Sequence, residues 1–281
     1  MVGLLIQHGV DINAHVKDWS KDYSLQARLH LASSEGNAET VRLLIQHGAD
    51  IDVRDRNCST PLHLSSSKGR LKGGVETVRL LVRHGADVNA RDKNDKTPLH
   101  LASSRARGCA KTIQLLIQRG ADVSARDNGG STPLLLASSK GSPETLQLLI
   151  QHGADVNARD DGGSTPLFLA SSKGSPETLQ LLIQHGADVN ARDGFNLTPL
   201  DMALSSGSAE SVGLLIQHGA DVNARDQSYR TRLHLASSSG SAKTVRLLVQ
   251  HADINVLDRN HSTPLHLASS SGSAETVRLL I

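Results

Sequence analysis

The chain has 281 residues, with 30 Lys and Arg against 28 Asp and Glu, so its net charge is +2 with His neutral. That balance argues against a nucleic-acid binder working by bulk electrostatics, and two cysteines, Cys58 and Cys109, are too few for a disulfide scaffold or a four-ligand zinc site. Aromatics make up only 2%, fewer than a conventional core of this length would use, and no apolar run approaches the ~20 residues of a membrane span.

The chain opens at Met1-Val2-Gly3-Leu4-Leu5-Ile6, with no basic segment ahead of an apolar one, so no secretory signal is read. Comparison with Val212-Gly213-Leu214-Leu215-Ile216 places this opening partway through a helix. Residues 1–26 read as a partial repeat with an elongated finger around His15–Gln26, which carries Trp19 and Tyr23. Further on, Thr-Pro-Leu recurs from Thr60, Thr97, Thr132, Thr165, Thr198 and Thr263, with degenerate copies from Ala27 and Thr231. The spacings are 33, 37, 35, 33, 33, 33 and 32, a regularity that takes precedence over any local reading. Residues 27–262 are therefore seven repeats, starting at 27, 60, 97, 132, 165, 198 and 231, and residues 263–281 a truncated eighth. Both ends are expected to continue in a longer array, because neither offers a polar capping repeat.

The two long spacings fall in loops at Arg70–Gly73 and Arg105–Cys109. With Lys68 and Lys111 these place six basic residues on one edge, either a solvated margin or a patch for an acidic partner.

The repeat from Thr132 shows how one unit is built. Thr132 and Pro133 suit the N-cap and first helical position, Leu134, Leu136 and Ala137 form a short apolar stripe, and Gly141 stops the helix. Ser142-Pro143-Glu144 repeats the start signal, and Leu146, Leu149 and Ile150 follow at helical spacing. Gly153 suits a left-handed cap, and the Gly162-Gly163 pair marks a tight turn. Helices this short are marginal alone and need stacked neighbours. Gly130 and Gly163 sit where a positive φ is expected, so Cys58, Asp95, Asn196, Tyr229 and His261 should share that conformation at the matching tips. At His251-Ala252-Asp253 the capping Gly is missing, and a different turn is expected.

Thr-Pro-Leu-His-Leu-Ala at 97–102 and 263–268, with Gly-Ala-Asp-Val-Asn-Ala at 85–90, 153–158, 186–191 and 219–224, resembles the ankyrin-repeat family over essentially the whole chain. The resemblance implies an all-α solenoid of stacked helix-turn-helix units with projecting β-hairpin fingers. It also implies protein recognition along the fingers and a concave groove, and an imidazole at the fourth motif position that tethers finger to helix.

The search for chemistry is mostly negative. Seven histidines end second helices, where positive charge suits the helix terminus, and five more occupy the fourth motif position. Equivalent residues on neighbouring helices lie ~8–10 Å apart, too far for zinc ligands at ~2.0–2.1 Å from a shared metal. Recurrent Arg-Asp pairs such as Arg91-Asp92 and Arg159-Asp160 read as weak finger-to-finger ion pairs. Cys58 reads as a finger-tip thiol and Cys109 as a loop thiol, neither with a set His partner, and no phosphate-loop, zincin or nucleophile-elbow motif appears.

No catalytic residue, metal or cofactor is assigned, and the chain is read as a non-enzyme. The expected partner is another protein, with no nucleic acid, membrane insertion or small-molecule substrate, and the expected location is intracellular, cytoplasmic with the nucleus left open. Recognition energy concentrates in Trp, Tyr and Arg, so the candidate contacts are Trp19, Tyr23, Phe195, Tyr229, Arg91, Arg192 and Arg225. Trp19 could equally shield an exposed apolar end of the array. The alternative reading is a sensor or targeting segment of a larger multidomain protein.

Overall fold

A computed structural model describes residues 28–68, 73–105 and 109–281. It divides into two compact units, Met1–Asp155 and Val156–Ile281. The first contains α1 (Arg28–Glu35), α2 (Ala38–Gln46), α3 (Pro61–Ser67), α4 (Gly74–Arg83), α5 (Pro98–Ser103), α6 (Ala110–Gln118), α7 (Pro133–Lys140) and α8 (Pro143–Gln151). The second contains α9 (Pro166–Lys173), α10 (Pro176–Gln184), α11 (Pro199–Ser206), α12 (Ala209–Gln217), α13 (Arg232–Ser238), α14 (Ala242–Leu248), α15 (Pro264–Ser271) and α16 (Ala274–Leu280).

Local chemistry sets the ends of each helix. Thr60, Thr97, Thr132, Thr165, Thr198 and Thr263 are extended N-caps followed by Pro at the first helical position, where the missing amide costs nothing. Gly141, Gly174, Gly207 and Gly272 end first helices in the left-handed conformation, which a residue without Cβ adopts freely. Second helices end on His47, His84, His152, His185 and His218. His47 Nδ1 and His152 Nδ1 lie 2.8 Å from the carbonyls of Leu43 and Leu148, satisfying acceptors that the helix leaves open. At His251 the expected different turn is found. α14 stops at Leu248 and the amides of His251 and Ala252 both return to the Leu248 carbonyl, with no left-handed residue.

Within each unit the helices stack in columns. α1, α3, α5 and α7 pack in succession, as do α2, α4, α6 and α8; in the second unit α9 packs on α11, α13 on α15, and α10, α12, α14 and α16 follow one another. Each repeat sends the same few aliphatics inward. Leu62, Leu99, Leu134, Leu167, Leu200 and Leu233 are at most 1% exposed, and Leu44, Leu81, Leu116, Leu149, Leu182 and Leu215 form a second buried series. A core made of repeated leucine columns has no large irregular space for rings to fill, which accounts for the scarcity of aromatics.

Among the described residues there is no strand. Each finger closes as a tight turn instead of a ladder. In the finger at 92–96, Asp92 N–H donates to the Lys96 carbonyl at 3.0 Å, but the Lys96 amide donates to the Asp92 carboxylate, also at 3.0 Å. The carboxylate takes the bond that would have continued the ladder.

Candidate functional site

The fingers owe their shape to their aspartates. Asp55, Asp92, Asp127, Asp193, Asp226 and Asp258 each accept the amides two and four residues on. The tip between them must turn left-handed. Cys58, Asp95, Asn196, Tyr229 and His261 all have φ between +57° and +64°, matching Gly130 at +71° and Gly163 at +77°.

Arg54, Arg91 and Arg159 reach away from the aspartates beside them. Arg54 Nη1 donates to the Arg91 carbonyl at 2.9 Å, Arg91 Nη1 to the Arg126 carbonyl at 2.9 Å, and Arg159 Nη1 to the Arg192 carbonyl at 2.6 Å. The expected finger-to-finger ion pairs are corrected at these positions. The carboxylates are occupied by backbone amides, and the guanidiniums reach the next repeat's backbone.

The motif histidine joins repeats in a second way. His63 Nδ1 accepts from the Thr60 amide at 3.1 Å, and His63 Nε2 lies 2.9 Å from the Lys96 carbonyl. His100 and His234 repeat this, with Nε2 3.0 Å from the carbonyls of Ser131 and Ser262. A nitrogen that accepts an amide proton carries none itself, so the neutral ring with the proton on Nε2 is the form that fits. Burial pushes His63 and His100 below the ordinary imidazole value, against the weaker pull of those carbonyls.

The repeat from Thr198 breaks the scheme. Asp201 stands in the histidine's place and accepts from the Thr198 amide at 2.8 Å and from its hydroxyl at 2.9 Å. A carboxylate cannot donate onward as Nε2 does. The following repeat compensates with Arg232 where proline is usual. Arg232 is buried, donates through Nη2 to Asp201 and through Nη1 to the Ala224 carbonyl, and lies across the interface between α11 and α13.

The family model for ankyrin repeats (3 copies) matches residues 1–92, 29–127, 71–160, 106–193, 134–226 and 200–281, which together span the chain. The chain belongs to the ankyrin-repeat family. Ankyrin repeats generally serve protein–protein interaction and are typically non-catalytic. The comparison with curated proteins gives no match.

On this ankyrin array the sequence candidates separate into three groups. Trp19 and Tyr23 lie outside the described residues, as do Arg70, Lys72 and Arg107 of the basic edge. Arg91 is exposed but engaged with the next finger. Phe195 and Tyr229 are 82% and 52% exposed at neighbouring finger tips, beside the exposed Arg192 and Arg225, whose guanidiniums have no hydrogen-bond or ion-pair partner among the described residues. Arg259 stacks over the Tyr229 ring at 5.9 Å. Cys58 is exposed at its tip, whereas Cys109, in the loop leading into α6, is buried as that helix's N-cap. Among the described residues no group of three or more His, Cys, Asp or Glu is placed to hold a metal ion, and no helix is long and apolar enough to cross a membrane.

Sequence reasoning missed the Asp201–Arg232 pair. Its signal was two departures from the motif in consecutive repeats, at positions that the histidine tether shows to be neighbours.

Proposed function

We propose that this ankyrin array is a non-catalytic recognition module that binds another protein through the fingers and first helices of the repeats from 198 and 231. The observation that carries the reading is Tyr229. A large aromatic occupies a left-handed tip, costly for a residue with Cβ, and although Arg259 stacks over it, about half of its surface stays exposed. Phe195, one finger earlier, is more exposed still. Partners captured by the wild-type array should be lost by a Phe195→Ala/Tyr229→Ala variant of unchanged helicity, with binding weakened by ~2 kcal/mol or more. Equal capture by both proteins would place recognition on another surface.

A further inference from the structure

Although α9 packs along α11 and α13 along α15, α11 and α13 stand apart, while their second helices α12 and α14 remain packed. Three links present on either side are missing here. The Ser206 hydroxyl donates to the Ser171 carbonyl and that of Ser271 to the Ser237 carbonyl, both at 3.3 Å, whereas the equivalent Ser239 bonds only within its own helix, to Ala236. The amide of Gly194 reaches the Gly162 carbonyl at 2.8 Å and that of Arg259 the Ser228 carbonyl at 3.0 Å, but the tips at 193–197 and 226–230 share no such bond. A Cβ on Gly174 or Gly240 would meet the next repeat's Ser208 or Ser273 at 3.0 and 3.3 Å, and one on Gly207 would meet nothing within 4 Å.

One substitution at the gap stands out. The seventh position of the Thr-Pro-Leu motif is Ser in the seven other repeats, and Ser33, Ser66, Ser103, Ser171 and Ser237 are fully buried there. The repeat from Thr198 has Leu204 instead. A leucine overfills a space closed around a hydroxymethyl group, which favours parting of the first helices.

The resulting cleft has a volume of about 570 Å³ and is lined by Leu197, Met202, Leu204, Arg232 and Leu235, among others. That is the size of a ligand site. Leu197 and Leu235 are partly exposed, and Phe195 lies two residues before Leu197. Arg232 is 5% exposed, and its Nε, unlike its two Nη atoms, has no hydrogen-bond partner. A buried donor without an acceptor is costly. Asp201 already neutralises the guanidinium, so the cleft calls for no charged ligand. The apolar surface also runs beyond the cleft toward the finger tips, which suits a chain better than an isolated small molecule.

We propose that the cleft between α11 and α13 binds an extended peptide segment of a partner protein. One apolar side chain seats against Leu204 and Leu235, and the extended segment continues over Leu197 toward Phe195. This deepens the recognition reading above and rests on it.

The probe is a random peptide library displayed on phage and selected on the full chain. Enriched peptides are then titrated against full-chain Leu204→Ser, Leu235→Lys and Leu31→Lys. Leu31 holds Leu235's place in the repeat from 27 and is 53% exposed. The enriched peptides should share an apolar residue, bind Leu204→Ser and Leu235→Lys ~10-fold or more weakly, and bind Leu31→Lys like the wild type. Leu204→Ser should fold at least as stably, because it installs the neighbours' residue; if it does not fold, Leu235→Lys decides alone. Peptides indifferent to the Leu204 and Leu235 substitutions overturn the cleft and leave recognition elsewhere on the array. A chain that enriches no peptide overturns both readings. Self-association abolished by Leu204→Ser would put a second copy in the cleft and overturn the peptide.

Discussion

Burial of His63 and His100 makes each a point where acid acts on the fold. Their folded values lie below the ordinary imidazole value, so on acidification the unfolded chain takes up protons first. The stability they contribute is complete above pH ~6.5 and is lost as pH falls through the folded values. Thermal midpoints should therefore drop between pH 7.5 and 5, and His63→Leu/His100→Leu should flatten that dependence, as Leu135 already occupies the same place in the repeat from Thr132. The finger tips give a second residue-scale test. Cys58→Gly or His261→Gly relieves a left-handed conformation at φ +57° or +59° and should raise stability by ~1 kcal/mol in urea denaturation. Gly163→Ala should lower it, since a Cβ there would lie 3.0 Å from the Gly194 nitrogen. These tips were legible in the sequence because Gly130 and Gly163 served as a template for the rest. The arginines were not. An Arg-Asp dipeptide looks like an ion pair until one sees that the aspartate is taken by amides two and four residues on.

Between elements, the Asp201–Arg232 bond across α11 and α13 is the one whose removal should be most uneven. Arg232→Pro restores the usual motif residue yet leaves a nearly buried carboxylate unpaired, and should cost about 3 kcal/mol. Adding Asp201→His supplies the neutral tether used elsewhere and should recover most of that loss. A double-mutant cycle measured by chemical denaturation checks the coupling; additive losses would mean the two residues do not act as a pair. Leu204 belongs to this scale too. The serine it replaces is visible in every other repeat, but a single-repeat reading treats Asp201, Leu204 and Arg232 as separate decay of a motif. Only the stacking brings the three to one interface.

Across the molecule, stability built from neighbouring repeats should fail locally. Leu62→Ala, in a fully buried column, should cost ~2–5 kcal/mol. Hydrogen exchange should show that loss in α3 and the helices packed on it, while amides around Leu233 keep their protection; uniform loss along the chain would refute nearest-neighbour energetics. The overall plan was legible because each unit repeats the same caps, leucines and turn, whereas the open interface was not, since it arises from contact between units.

The direction of the recurrent links has an evolutionary consequence. Imidazoles and guanidiniums of one repeat reach carbonyl oxygens of the next, as His63 does to Lys96 and Arg91 to Arg126. A carbonyl is the same whatever side chain its residue carries. Any repeat can then follow any other without matched mutations, so copying a unit in the gene yields a protein that already fits. The near-identical stretches 127–159 and 160–192, which differ at two positions, have the form such copying would leave. The Asp201–Arg232 bond joins side chain to side chain and is nearly buried, unlike the exposed Arg246–Glu275 pair, so the repeats from 198 and 231 are a pair that copying or loss cannot separate without harm.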